Sequence, residues 1–106
     1  MTKIVAVTAC IAGLAHTYMA KANLEKFAKQ KNIEIKVETQ GAMGIENKLS
    51  EEDIKEADVV IFSVDTNVAD RDRFEHKKIL EVGTSEVIKK GEEVIGKAIN
   101  MAEGEK

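Results

Sequence analysis

Residues 3–17 read KIVAVTACIAGLAHT: a β-branched run, a string of small residues around one glycine, and the opening of a helical pattern. Lys3 to Thr8 has the length and composition of a buried strand. Ala9 to Leu14 is expected as a loop. From Ala15 to Lys31 the period changes, and Ala20, Leu24, Phe27 and Ala28 share one face with lysines elsewhere, so a helix is predicted there, stopping at Asn32. A strand that runs through a short glycine-containing turn straight into a helix is the opening unit of an α/β fold.

Outward from that unit the alternation continues. Ile33 to Thr39 alternates apolar and polar residues, which predicts a half-exposed edge strand. Gly41 and Gly44 mark a loop, and Ser50 followed by Glu51, Glu52 and Asp53 starts a short helix, the serine capping free N–H groups and the acids favouring the dipole. Val59 to Val64 is apolar apart from Ser63 and reads as a central strand covered on both faces. Asp65 to Arg73 is a polar loop and Lys78 to Val82 a fourth strand. Beyond Gly83, Val87, Gly91, Val94, Ile95, Ala98 and Ala102 form a helical stripe, with a break expected at Gly91 and the end near Gly104. The order β-α-β-α-β-loop-β-α implies a parallel sheet between two helical layers, a three-layer α/β/α sandwich.

The totals narrow the function. A chain of 106 residues suits one domain spanning 1–106. Its net charge of −3 lacks the basic footprint of a nucleic-acid binder. No apolar run approaches the roughly 20 residues of a membrane span, and the β-branched N-terminal run is read as a strand, not a signal peptide, which implies a cytoplasmic protein. The chain has 1 cysteine, so an intrachain disulfide and a cysteine-rich zinc site are both excluded. Neither a metal nor a cofactor is expected.

That cysteine, Cys10, stands where an open α/β sheet collects ligands, at the carboxyl end of its first strand. The loop Ile11, Ala12, Gly13, Leu14, Ala15, His16 and Thr17 is built of small residues, with Gly13 free to take positive φ, so that backbone N–H groups can turn inward. The following helix N-terminus adds partial positive charge. Such a loop is an anion cradle, and it lowers the pKa of a thiol at its mouth. The alternative for a lone cysteine is a small core residue.

The string VAVTACIAGLAHTYMA closely resembles the signature of fructose-type enzyme IIB domains of the bacterial phosphoenolpyruvate-dependent sugar phosphotransferase system. The resemblance continues through Val37 to Gly41, Gly44, Asn47, Leu49, Asp53-Ile54, Ala57-Asp58, the strand ending at Asp65 and the Arg73-Phe74 pair. It implies a four-stranded parallel sheet in strand order 2-1-3-4, resembling the low-molecular-weight tyrosine phosphatase-like fold, with the loops after strands 1 and 3 side by side. It also implies a role as a protein-phosphocysteine–sugar phosphotransferase. Enzyme IIA would donate a phosphoryl group from a histidine, Cys10 would accept it, and a sugar (fructose or a relative) brought in by the membrane enzyme IIC would receive it. The family's loop commonly reads Cys-Pro-Thr-Gly; here it is Cys10-Ile11-Ala12-Gly13, without the fixed φ of proline or the threonine hydroxyl.

Around this loop other residues carry two readings each. His16, protonated, would stabilise a thiolate or phosphate, or would cap or pack beside the loop. Thr8 and Thr17 offer hydroxyl donors, though local backbone bonding is the commoner fate of such groups. Asp65, Thr66 and Asn67 end the third strand and border the same crevice, or merely form its turn. The run from Asp70 to Arg73 reads as a solvated turn, His76 as a surface histidine. Tyr18 and Met19 are candidates for a docking surface, with partial burial against the sheet the commoner outcome. A low-molecular-weight tyrosine phosphatase is the rival enzyme, but its loop ends in a phosphate-clamping arginine where this chain has His16. A receiver phosphorylated on Asp65 would need acids after strand 1 that Thr8-Ala9-Cys10 does not provide. A regulatory or degenerate IIB-like protein is the remaining alternative.

Overall fold

In a computed structural model that describes residues 2–9, 14–41, 44–65 and 67–103, the chain alternates strands and helices as the periodicities predict. For Leu14, Ala15 and His16 the description is confined to the backbone. The elements are β1 (Lys3–Ala9), α1 (Leu14–Gln30), β2 (Glu34–Gly41), β3 (Gly44–Glu46), α2 (Glu51–Glu56), β4 (Val59–Val64), a 3₁₀ turn (Arg71–Phe74), β5 (Ile79–Val82) and α3 (Thr84–Ala102).

The sheet order is β3-β2-β1-β4-β5. Its four parallel strands, β2-β1-β4-β5, follow the expected order 2-1-3-4. The strand count needs correction, because Gly44–Glu46, read as part of a loop, pairs antiparallel with β2 and makes the sheet five-stranded and mixed. Gly44 has φ 110°, a backbone conformation that suits a residue without a Cβ. β2 is therefore not a simple edge. Its first half alternates as expected, but Val37, Glu38, Thr39 and Gln40 are all buried. β3 flanks that half on the outside, and polar partners cover Glu38 and Gln40.

Strand alternation divides the core into two layers. Ile4 and Ala6 of β1 join Val59 and Ile61 of β4 under Ala20, Leu24 and Ala28 of α1 and Val87, Val94, Ile95 and Ala98 of α3. Val5, Val7 and Ala9 share the opposite face with Val60, Phe62, Val64, Ile54 of α2 and Phe74 of the 3₁₀ turn. Phe62 and Phe74 meet edge to face, 5.2 Å between centroids, an arrangement the ring quadrupole favours.

Local chemistry sets the ends of the helices. Asn32, at φ 58°, closes α1 in a left-handed conformation, matching its expected role as a stop. Ser50 Oγ accepts the Asp53 N–H at 3.0 Å, and the Asp53 carboxylate accepts the Ser50 N–H at 3.1 Å, a complete capping box on α2. The break in α3 falls at Lys90 (φ −134°, ψ 43°), one residue before the predicted position. Gly91 lies against α1 so closely that a Cβ there would sit 2.9 Å from the Phe27 ring. Asn23 of α1 donates its side-chain amide to the carbonyls of Val87 (3.1 Å) and Ile88 (2.9 Å) in the turn before the break. Gly104, the expected helix end, lies outside the described residues.

Candidate functional site

The carboxyl ends of β1 and β4 lie side by side: Ala9 is level with Val64, and the Asp65 N–H donates to the Ala9 carbonyl at 3.0 Å. The chain leaves β1 at this point and re-enters as α1 at Leu14. The carboxyl ends of adjacent parallel strands are where open α/β sheets bind ligands. Cys10, Ile11, Ala12, Gly13 and Thr66 lie outside the described residues, as do the side chains of Leu14, Ala15 and His16.

The N-terminal turn of α1 carries no acid, whereas α2 opens with Glu51, Glu52 and Asp53, and α3 has Glu86 in its first turn. The positive end of the α1 dipole is therefore not offset by its own first-turn side chains. Below it lies a polar layer within an otherwise apolar stack. Thr8, level with Ser63 on β4 and Thr39 on β2, continues the Ile4–Ala6 face of β1. Thr17 continues the Ala20–Leu24 stripe that α1 lays on that same face. Thr8 and Ser63 are 0% exposed and Thr17 1%, and their hydroxyls have no hydrogen-bond partner among the described residues. Thr8, by its sequence a candidate crevice residue with Asp65, Thr66 and Asn67, is buried toward the carboxyl end of β1. The sequence assigns Ser63 no site role, and its one signal is the polar letter in VVIFSV.

Asp65 and Asn67 are exposed at the rim. The Asp65 carboxylate accepts the Thr84 N–H at 3.2 Å and the Thr84 hydroxyl at 2.5 Å, so it ties the end of β4 to the first turn of α3. Tyr18 and Met19 are 42% and 49% exposed on the first turns of α1, which corrects the expectation of burial against the sheet. The neighbouring positions Thr17 and Ala20 take the inward face, leaving 18 and 19 outward. The Tyr18 hydroxyl donates to Glu46 of β3 at 2.6 Å, and this contact with an anion raises the phenol pKa above its ordinary value.

The Asp70–Arg73 run is more than a solvated turn. Arg73 reaches across to β2 and grips Glu38 with two bonds of 3.0 Å each. Glu38 also accepts the Leu49 N–H at 2.9 Å and the Gln40 amide at 2.7 Å. Gln40 in turn donates to the Ala69 carbonyl at 3.2 Å and accepts the Ala69 N–H at 2.9 Å. Burial pushes the Glu38 carboxyl upward, but the hydrogen bonds from Arg73, Gln40 and Leu49 outweigh it and hold the pKa below the ordinary value. This clamp fixes the segment after β4 on the α2 face. Arg71 pairs with Glu81 at 3.1 Å and lies over the Phe62 ring, 4.9 Å from its centroid. His76 is exposed, as expected. A shallow cavity on this face, lined by Ile54, Lys55, Arg73 and His76 among others, contains none of the predicted site residues.

Among the described residues no cluster of three or more His, Cys, Asp or Glu side chains is placed to hold a metal ion. None of the described helices is long and apolar enough to cross a membrane.

The family model described as PTS system, Lactose/Cellobiose specific IIB subunit matches residues 5–97. PTS system fructose-like EIIB component 2 of Escherichia coli is 48% identical over 97 residues, covering 92% of each chain. The PTS system fructose-specific EIIABC component of Bacillus subtilis is 44% identical over 99 residues, which span 93% of this chain and 15% of that protein. A domain from the fructose-specific IIABC component of Borrelia burgdorferi superposes with a TM-score of 0.88 at 49% identity, covering 93% of this chain and 94% of that one. With its fold and almost its whole length matched in this way, the chain belongs to the IIB components of the phosphotransferase system, and among them to the fructose type.

Proposed function

We propose that the chain is a phosphoryl carrier in which the Cys10 thiolate takes a phosphoryl group from a phosphohistidine on enzyme IIA. It then passes the group to fructose or a related sugar delivered by the membrane enzyme IIC. In the first step the sulfur attacks phosphorus, an S–P bond forms, and the P–N bond of the donor breaks to release its imidazole. In the second, a sugar hydroxyl attacks phosphorus, the S–P bond breaks, the thiolate is regenerated and the hydroxyl proton is lost. Both are in-line displacements, served by positioning and by stabilisation of charge on the transferring oxygens.

The observation that carries this reading is the placement of Cys10 in sequence. It directly follows Ala9, the last residue of β1, and precedes the acid-free N-terminal turn of α1. Backbone N–H groups of Ile11 to Thr17 would cradle the phosphoryl oxygens, with His16 and Thr17 as side-chain donors. Asp65, Thr66 and Asn67 would form the facing wall. An N–H cradle needs no particular side chain, so Ile11 and Ala12 are compatible with acceptance. The exposed Tyr18 and Met19 supply a surface beside the site for the protein partners. The chain would act as one domain, 1–106, on the cytoplasmic side of the membrane.

The test is phosphorylation with phosphoenolpyruvate, the general phosphotransferase proteins and a matching IIA. Label is expected on Cys10 by mass spectrometry and absent from Cys10→Ser. Label retained in the serine variant, or absent from the wild type with every donor, would sink the mechanism. Turnover of an aryl phosphate by the isolated chain would favour the phosphatase chemistry instead.

A further inference from the structure

We propose that the hydroxyls of Thr8, Thr17 and Ser63 form a buried polar layer that positions the reacting site at the N-terminal end of α1, making them positioning residues for the transfer. The inference rests on the function proposed above. It starts from an anomaly in the core: Thr8, Thr17 and Ser63 are at most 1% exposed, and their hydroxyls lack a hydrogen-bond partner among the described residues. A buried hydroxyl without a partner costs desolvation and returns nothing. Valine fills the volume of threonine without that cost, and the same stack uses Val37, Val59, Val87 and Val94 elsewhere.

The placement of the three is not scattered. Thr8 and Ser63 are register partners on adjacent strands, each the last residue of its strand on the α1–α3 face. Thr17 comes down on that face from the first turn of α1. All three therefore lie toward the carboxyl end of the sheet, where α1 begins with a dipole not offset by a first-turn acid. Deeper on this face the two strands bury only apolar residues, Ile4 and Ala6 of β1 and Val59 and Ile61 of β4. Each hydroxyl is a rotatable donor and acceptor. An anion held above the layer, or an ordered water beneath it, supplies the missing partners, and a hydrogen bond donated toward an anionic sulfur favours the charged form.

The experiment exploits the fact that the chain has 1 cysteine, so alkylation of the intact protein reports on Cys10 alone. Iodoacetamide rates are measured from pH 5 to 10 for wild type, Thr8→Val, Thr17→Val and Ser63→Ala, with Thr8→Ser and Thr17→Ser as rescues. Urea unfolding is run in parallel. The expected result is a rise of the alkylation midpoint in the valine variants, with rates near neutral pH falling about 3- to 10-fold. IIA-dependent labelling should slow alongside. The serine variants should return to the wild-type profile, and the urea midpoints of the valine variants should be equal to or above wild type. Profiles that overlay wild type in both valine variants would overturn the proposal. So would serine variants that shift as far as valine. Should a valine variant fail to fold, Ser63→Ala and the serine pair still decide between these outcomes. A wild type that is never labelled sinks the carrier function itself. A labelled wild type with unmoved profiles sinks only the hydroxyl layer.

Discussion

Two groups of buried polar side chains lie on opposite faces of one sheet, and they are solved in opposite ways. On the α2 face, Glu38, Gln40 and Arg73 form a cluster in which the carboxylate accepts from two side chains and one backbone N–H. On the α1 face, Thr8, Thr17 and Ser63 hold hydroxyls with no partner among the described residues. The first is complete within the protein and acts as a tie between β2 and the segment after β4. The second lies toward the carboxyl end of β1 and β4, on the face that α1 covers, and in the inference drawn above an anion or an ordered water completes it. A satisfied polar cluster specifies structure; an unsatisfied one marks where the fold has left capacity for a ligand.

The comparison breaks most readily at Arg73. Its removal leaves the Glu38 carboxylate, 0% exposed, without its bidentate partner. Arg73→Ala is expected to cost about 3 kcal/mol in urea denaturation, toward the lower end for a broken buried pair because the arginine side chain keeps 17% exposure. Glu38→Gln combined with Arg73→Met should cost less than Arg73→Ala alone, since no uncompensated charge remains. A loss below roughly 1 kcal/mol for Arg73→Ala would mean that the cluster is a surface ion pair in all but position.

Acid separates the two groups next, because only one of them contains carboxylates. Glu38 is held below its ordinary pKa, burial opposing and its hydrogen bonds prevailing. Asp53 is lowered from 3.8 to about 2, chiefly by the hydrogen bond from Lys36, with the Ser50 N–H assisting. A carboxyl whose folded pKa is depressed binds more protons unfolded than folded between the two values. Its stabilisation is present above the unfolded pKa and lost as pH falls through the folded one. Urea midpoints should therefore be flat above about pH 5 and decline between about pH 4 and 2. Lys36→Met should shrink the Asp53 share of that decline. The hydroxyl layer contains no carboxylate, so Thr8→Val should leave the acid limb of the curve unchanged.

The α1 face was the more legible in the sequence. Its strands and helices follow from period 2 and period 3.6, and the place of Cys10 follows from strand, small-residue turn and helix in one stretch of residues. The α2 face was less so. Glu38 sits where alternation predicts a solvated position, and its burial is made tolerable chiefly by Arg73, 35 residues on. A partner so distant in sequence leaves no local periodicity to read. β3 escaped for a related reason: three exposed residues bounded by Gly44 carry too short a pattern to tell an edge strand from a turn. Ser63 is harder to read because one hydroxyl in an apolar strand carries no meaning until Thr8 is paired with it and both hydroxyls, like that of Thr17, are buried.

The finest test sets hydroxyl against hydroxyl. Ser50 Oγ accepts the Asp53 N–H at 3.0 Å in a capping box on the surface, so its removal unmakes an existing bond. Ser50→Ala should cost about 1 kcal/mol, read as a lower urea midpoint at unchanged slope. Thr8→Val removes a hydroxyl that is fully buried and without a partner among the described residues, and keeps the side-chain volume. It should cost nothing or add a few tenths of a kcal/mol, because the desolvation penalty of the group goes with it. The opposite ranking at pH 5, with Thr8→Val the more damaging, would show that the buried hydroxyl has a partner that does not depend on an anion.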